Sequence, residues 1–166
     1  MKKTLLIAVL IILGMGKSNA QDGELALGLK SAFPISDFSR YSSLGIGAEL
    51  MYLNSVSDQF SIGGSLGYTT YIIDDLKILG QTIEGENISF LPINFKAMYL
   101  LQGSKFALGA DLGYAVGVND GNEGGLLYEP KLIFNNNTLL LSVGYQGITN
   151  NGDKINSVQV GAAFKF

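Results

Sequence analysis

The 166-residue sequence contains no histidine, no cysteine and no tryptophan, and it has only three prolines. Without imidazole, a Ser-His-Asp triad, a Cys-His pair and a histidine metal site are excluded. Without thiols, disulfides, zinc knuckles and an acylated lipoprotein cysteine are excluded as well. We therefore expect no catalytic residue and no cofactor. We expect no metal site either, because the carboxylates at 119–123 and 151–153 lack the full spacing of a calcium-binding loop.

Charged residues are also scarce, at 15%, with 11 Lys and Arg against 14 Asp and Glu. A nucleic-acid-binding domain would need a clustered basic surface, so we expect no nucleic-acid partner. Hydrophobic residues, at 47%, and glycine, with 22 residues, are abundant. The mean hydropathy is +0.28. The length allows one domain of ordinary size, and its class depends on where the apolar residues lie.

The first 20 residues have the organisation of a secretory signal peptide. Two lysines precede an apolar run over residues 5–13, and small residues occupy positions 18 and 20. An uncleaved membrane anchor would need about 20 apolar residues, which this run does not supply. We predict a cleaved signal peptide at residues 1–20 and an exported domain at residues 21–166.

From residue 24 onward, apolar residues alternate with small or charged residues, and no stretch sustains helical periodicity over three turns. The alternation predicts eight β-strands. Their lengths are close to what a tilted strand needs to cross a bilayer, which is about 9 to 11 residues. The predicted strands cover residues 24–33, 44–53, 59–71, 88–101, 105–118, 126–134, 139–146 and 157–166.

One face of each predicted strand carries Leu, Ile, Val, Phe and Tyr, and the other face is rich in glycine. A soluble barrel or sandwich would expose polar side chains on that second face, where glycine only weakens a strand. Glycine instead suits the narrow interior of an eight-stranded barrel, so the apolar face must point outward into lipid. We predict an all-β fold, an antiparallel up-and-down transmembrane barrel. The inward glycines are 28, 45, 47, 63, 67, 109, 113, 117, 144 and 161.

Aromatic residues on the predicted outer face fall near strand ends. Phe and Tyr favour strands in any sheet, but their segregation to the ends matches the aromatic belts of outer-membrane barrels. One predicted girdle contains Tyr52, Phe60, Tyr99, Phe106, Phe134 and Phe166, and the other contains Phe33, Tyr68, Tyr114, Tyr128 and Tyr145.

The predicted connections alternate between short and long. Because short turns are periplasmic in such barrels, both chain termini are predicted to lie in the periplasm of a Gram-negative bacterium. The opposite loops carry more acidic than basic residues, so we expect an acidic outer surface. The short turns are 55–58, 102–104 and 135–137, and the longer loops are 34–43, 72–87, 119–125 and 149–156.

Residues 21–166 resemble the small outer-membrane β-barrel family, with an architecture similar to OmpA and OmpX. The resemblance rests on the amphipathic strands, on the stretches 91–96 and 109–114, and on a last strand ending at Phe164 and Phe166. In that family the barrel-assembly machinery recognises the terminal aromatic strand, so the resemblance implies this role for Phe164 and Phe166. Residues 21–166 contain no peptidoglycan-binding domain, so we do not expect the protein to be anchored to the cell wall.

Charged residues on the predicted inner face form the main candidate site. Opposite charges fall at matching heights on neighbouring strands, as Lys30 and Glu49 do. Buried charges in a narrow lumen must be paired, since an unpaired one costs several kcal/mol. Two interpretations remain open, structural packing and a gated pore. This lumenal charge network comprises Glu24, Lys30, Glu49, Lys96, Asp111, Glu129, Lys131 and Lys165.

The stretch Gly63–Gly67 fits the G-x-S-x-G pattern of a nucleophile elbow, but that motif needs a strand-to-helix turn and a histidine. Ser65 lies within a predicted strand, so we do not expect it to be catalytic.

Three functions are compatible with these features. The first is a non-enzymatic outer-membrane barrel, monomeric, presenting acidic loops that support envelope integrity or bind an unidentified surface ligand. The second is a narrow porin-like channel for ions or small solutes, gated by the lumenal salt bridges. The third is a soluble lipocalin-like carrier, which would need the apolar face turned inward. The expected partners of the first two are outer-membrane lipid and, during biogenesis, the barrel-assembly machinery.

Overall fold

The computed structural model describes residues 23–74, 76–78, 81–83, 85–150 and 152–166, so the predicted signal peptide lies outside the described residues. A 3₁₀ helix (Ser36–Arg40) follows the first strand. The strands are β1 (Gly23–Ile35), β2 (Ser42–Ser55), β3 (Phe60–Ile73), β4 (Leu76–Ile78), β5 (Gln81–Ile83), β6 (Ile88–Leu100), β7 (Phe106–Gly117), β8 (Gly125–Asn135), β9 (Leu139–Asn150) and β10 (Asp153–Lys165).

Eight of these strands form a closed barrel in which every neighbouring pair is antiparallel. Each barrel strand lies beside its neighbours in the chain, and β1 closes the cylinder by pairing with β10. The short strands β4 and β5 pair only with each other, outside the barrel sheet. The predicted eight-stranded up-and-down barrel is confirmed.

The two faces of the sheet are divided as the alternation predicts. Leu29 and Leu112 point outward and are 71% and 58% exposed, whereas Leu127 and Tyr71 point inward and are fully buried. An apolar exterior over a packed interior is the reverse of a water-soluble barrel and is the arrangement that lipid requires. No helix among the described residues is long enough and apolar enough to cross a membrane.

Inward glycines let large side chains cross the lumen. A Cβ atom at Gly144 would lie 2.7 Å from the Cβ of Lys131, and one at Gly45 would lie 2.8 Å from the ring of Tyr71. Real Cβ atoms do not approach that closely, so both positions must stay free of side chain. Part of the glycine excess therefore belongs to the interior packing, as the sequence indicates.

The strands extend further than predicted on the side away from the termini. The predicted 149–156 loop is wrong, because β9 continues to Asn150 and β10 starts at Asp153, and these two residues pair. The turn includes Gly152, whose φ of 104° favours glycine. The alternation of apolar residues ends in this hairpin, but the backbone hydrogen bonds between the strands continue. Polar residues such as Asn150 can pair through their backbone where water, and not lipid, surrounds the strands.

Two other predicted loops contain regular structure. The 3₁₀ helix occupies the middle of the predicted loop 34–43. The predicted loop 72–87 holds the β4–β5 hairpin, joined by backbone pairs from Leu76↔Ile83 to Ile78↔Gln81. These segments are too short to show a periodicity in sequence.

Candidate functional site in the barrel lumen

The centre of the lumen is occupied by charged side chains around Asp111. Asp111 is 2% exposed, and its Oδ2 atom lies 2.6 Å from the Nζ atoms of both Lys96 and Lys131. Strand register creates this arrangement, because β6 pairs Lys96 with Asp111 and β8 places Glu129 directly opposite Asp111. Asp111 thus holds two lysines that reach it from the strands on either side.

Two further carboxylates complete the group. Glu49 lies 3.1 Å from the Nζ of Lys96 and 3.6 Å from that of Lys30, and Glu129 lies 3.5 Å from the Nζ of Lys131. Glu129 also accepts a hydrogen bond of 3.2 Å from the side chain of Gln146. Three acids face three lysines, so the group is formally neutral. We refer to Lys30, Glu49, Lys96, Asp111, Glu129 and Lys131 as the central charge cluster.

The remaining two residues of the lumenal charge network form a separate contact at the rim. Lys165 donates to both carboxylate oxygens of Glu24, at 3.2 and 3.1 Å, and to Asn135 at 2.9 Å. This contact joins β1, β10 and β8 at the end of the barrel that holds Gly23 and Phe166, which we call the lower end. The sequence-predicted network is therefore divided into a central group and a rim group.

Apolar side chains fill the lumen on both sides of the central charge cluster. The lower apolar layer consists of Ala26, Met51, Leu53, Met98, Ala107, Ile133, Leu140 and Ala163. The upper apolar layer consists of Ala32, Tyr71, Phe90, Ala115, Leu127 and Ile148, with Phe38, Ile88 and Ile155 packed against it. The charges are thus enclosed between two apolar layers.

Tyr71 is the centre of the upper apolar layer. Its ring makes edge contacts with Phe38 at 5.4 Å and with Phe90 at 6.2 Å between centroids. Its hydroxyl donates to Gln146 at 3.2 Å and lies 3.2 Å from the hydroxyl of Ser157. Sequence reasoning did not single out this layer, although the inward parity of Tyr71 and Phe90 within their strands was a signal that could have found it.

We expect Gly45→Val to destabilise the upper apolar layer. The new side chain would overlap the ring of Tyr71 and crowd the Cβ of Ala32, which would lie 3.0 Å from a Cβ atom at residue 45. Overpacking of this kind costs about 1 to 3 kcal/mol, measured as the loss in unfolding free energy by urea titration in lipid vesicles. Gly64→Val is the control for loss of glycine within a strand, because residue 64 pairs with outward Tyr52 and Phe95 and a Cβ atom there would meet only the Asn94 carbonyl oxygen, at 3.3 Å. Equal stability of Gly45→Val and the parent would contradict this packing.

Little free space remains inside the barrel. The cavity beside the central charge cluster has a volume of about 40 Å³, which is room for only one or a few water molecules. Within the described residues, Asp111 Oδ1 and Gln159 Oε1 border this space without a hydrogen-bond partner. A bound water is the group that such acceptors need.

Larger polar recesses lie at the two ends of the lumen. The lower vestibule has a volume of about 680 Å³ and is lined by the three lower turns, Glu24 and Lys165. The upper vestibule has a volume of about 390 Å³, and its lining includes Glu86, Asp120, Glu123 and Asp153. Since the cavity between them is so small, the described residues leave no open passage between the two vestibules.

The carrier hypothesis is wrong. A soluble carrier needs an apolar internal cavity, whereas the side chains of Leu29, Leu112 and Phe164 point outward and are 71%, 58% and 59% exposed. The interior holds charges and packed side chains around the 40 Å³ space.

The predicted girdle residues lie on the outer face at the two ends of the barrel. Phe106 and Phe134 contact each other at 5.6 Å near the lower end, and Tyr128 and Tyr145 lie 6.2 Å apart near the upper end. At the end of the chain, Phe164 is 59% and Phe166 is 77% exposed. The Phe166 backbone N–H donates to Leu25 across the β1–β10 seam at 2.8 Å.

Ser65 is buried inside β3 and has no hydrogen-bond partner among the described residues. Its neighbours across the ladders are Met51 and Asn94, and no base in the described part of the chain hydrogen-bonds to its hydroxyl.

Comparison with known proteins finds similarity in structure only. No protein-family model matches the sequence, and no curated protein matches it. The outer membrane protein Ail of Yersinia pestis, in a phospholipid bilayer nanodisc, superposes with a TM-score of 0.62 at 15% identity, over 87% of this chain and 99% of Ail. The N-terminal β-barrel domain of Pseudomonas aeruginosa OprF gives 0.56 at 11% identity, over 88% and 98%. Neisserial surface protein A gives 0.52 at 16% identity, over 86% and 95%.

These matches cover nearly the whole of each solved chain, so the described residues form the same kind of barrel. The protein has the fold of the small eight-stranded transmembrane β-barrels. This eight-stranded architecture is the one that the resemblance to OmpA and OmpX predicted. At these sequence identities, the similarity to the solved structures concerns the fold alone.

Proposed function

We propose that this protein is a non-enzymatic integral outer-membrane barrel, closed to solutes, that presents an acidic surface outside the cell. The sealed lumen inside an apolar exterior is the observation that carries the proposal. The exterior fits lipid, and the 40 Å³ central cavity leaves no open path for a solute.

The order of the lumenal layers supports a closed barrel. An ion would have to pass an apolar layer, the neutral central charge cluster and a second apolar layer. Apolar constrictions block ions by excluding water. Opening the path would also require Asp111 to release Lys96 or Lys131, both held at 2.6 Å.

The surface role rests on charge at the upper end. Glu86, Asp120, Glu123 and Asp153 line the upper vestibule and are all exposed. Complementary charge steers association, so the proposed surface partner carries positive charge. With short turns at the lower end and the longer loops at the upper end, both termini would lie in the periplasm.

A narrow channel is the second candidate, and the vestibules at both ends of the lumen favour it. In that function the central charge cluster would be the gate. Lys30 would be the residue to change first, because its contact with Glu49, at 3.6 Å, is the longest in the cluster.

Conductance in planar bilayers distinguishes the two candidates. We expect purified protein to be electrically silent in 1 M KCl, and Lys30→Gln to be silent as well, because the apolar layers remain. A general porin added to the same bilayers serves as positive control. Discrete openings of the parent protein whose size changes in Lys30→Gln would contradict the closed barrel and establish the channel.

Orientation is tested on intact cells. We expect added protease to cleave the 72–87 loop and to leave an epitope tag after Phe166 intact until the outer membrane is permeabilised. Cleavage of the tag in intact cells would contradict periplasmic termini.

A further inference from the structure

A groove crosses the apolar exterior between two rows of outward side chains. It has a volume of about 870 Å³. The rows follow the direction of the inter-strand pairs, from Phe106 and Phe134 near the lower end to Tyr68 and Thr70 near the upper end. The groove passes over β7, β8, β9, β10, β1, β2 and β3. Six inter-strand steps of about 4.8 Å give a path of about 29 Å that curves around three quarters of the barrel wall.

Small side chains in the two rows widen the groove in its middle. Ala162, Ser31 and Ala48 lie on the adjacent strands β10, β1 and β2, where neighbouring outward positions carry Leu29, Ile46 and other large residues. A curved depression with large apolar side chains along both sides suits a flexible alkyl chain, which can bend with the barrel wall.

The upper end of the groove has a different chemistry. Tyr68 donates from its hydroxyl to Ser89 Oγ at 3.0 Å, and Ser89 donates to Thr70 Oγ1 at 3.0 Å. Thr70 is therefore the last acceptor in a chain of two hydrogen bonds. No acceptor for the proton of its own hydroxyl is found among the described residues. Hydroxyls that polarise one another make the last one a better donor, and Thr70 lines the groove.

We propose that this outer groove holds one acyl chain of an ester-linked membrane lipid, whose ester carbonyl accepts a hydrogen bond from Thr70. The inference rests on the proposed membrane location. Hydrocarbon is what surrounds this face in a bilayer, and the carbonyls of an ester lipid lie where the hydrocarbon meets the headgroups. That is the level of the upper girdle to which Tyr68 belongs.

Native mass spectrometry of the barrel purified from membranes in detergent tests the proposal, with dimyristoylphosphatidylcholine as the probe. We expect one lipid to bind per barrel before any others. Ala162→Phe blocks the middle of the groove and is expected to weaken this first binding step by about tenfold or more. Ala110→Phe is the matched control, because Ala110 is an exposed outward alanine on β7 that does not line the groove.

The hydrogen bond is tested by changing both partners. Thr70→Val is expected to weaken binding of the ester lipid by roughly two- to tenfold. The same variant should bind the ether-linked analogue, which has no carbonyl, as well as the parent does. A similar loss with both lipids would overturn the role of Thr70.

Several results would overturn the groove itself. These are equal lipid retention by the parent and Ala162→Phe, an equal loss in Ala110→Phe, or a dimer that excludes the lipid, which would assign this face to a second copy. Insertion into vesicles is followed separately by the gel shift between heated and unheated protein. Failure to insert would contradict the proposed function, whereas insertion without selective lipid binding would contradict the groove alone.

Discussion

Asp111→Asn is expected to lower the free energy of unfolding by about 3 to 5 kcal/mol, the usual cost of removing one partner of a buried ion pair. Asp111 Oδ2 is the shared acceptor of Lys96 and Lys131. Without its charge, the cluster would hold three lysines against Glu49 and Glu129, in a space that admits few waters. Urea unfolding in lipid vesicles measures the effect.

Two further variants show whether the loss comes from unpaired charge. Asp58→Asn, at an exposed lower turn, should change stability by less than about 0.5 kcal/mol. In the double variant Asp111→Asn with Lys131→Met the cluster is neutral again, so it should regain a large part of the lost stability. A double variant less stable than Asp111→Asn alone would show that the pairing is not what stabilises the lumen.

Leu112→Arg is expected to lower the stability of the barrel in bilayers by about 2 to 4 kcal/mol. Leu112 lies at the middle of β7, points outward and is 58% exposed, so the arginine would have to enter the hydrocarbon core. The same urea titration measures the loss.

The matched variant is Leu101→Arg, at the lower turn next to the end of β6. The cost of a lipid-facing arginine falls to about 0 to 1 kcal/mol near the membrane interface. Leu101→Arg should therefore lose less unfolding free energy than Leu112→Arg, because residue 101 lies nearer the membrane surface. If Leu112→Arg folds as well as the parent in bilayers, or if both variants lose the same amount, the outer face is not in lipid.

Much of the barrel could be predicted because a strand alternates with period two, so one sequence pattern reports which side faces lipid. Leu112 and Asp111 are adjacent in the chain and lie on opposite faces, as the pattern indicates. Heights along neighbouring strands also suggested which charges meet, and the structure brings Lys96 to Asp111 and Lys30 to Glu49.

Contacts among three or more strands, or between a strand and a loop, could not be predicted from this pattern. The bridging of two lysines by Asp111 depends on β8 as well as β6, and pairwise comparison of neighbouring strands does not reveal it. The contact of Phe38 with Tyr71 depends on a 3₁₀ helix of five residues folding over the upper end. The extent of the β9–β10 hairpin was missed because the hydrophobic signal stops where lipid stops, while backbone pairing to Asp153 does not.

The pairing of β1 with β10 leaves the start and the finish of the described chain side by side, with Ala26 opposite Lys165. A cylinder closed in this way has a cyclic strand order, and nothing in its contacts marks one strand as first. A short peptide joining Phe166 to Gly23, with new ends cut at the 102–104 turn, would keep every inter-strand pair, since exposed turns tolerate such cuts. The architecture therefore permits circular permutation, and with it relocation of either terminus to any of the lower turns.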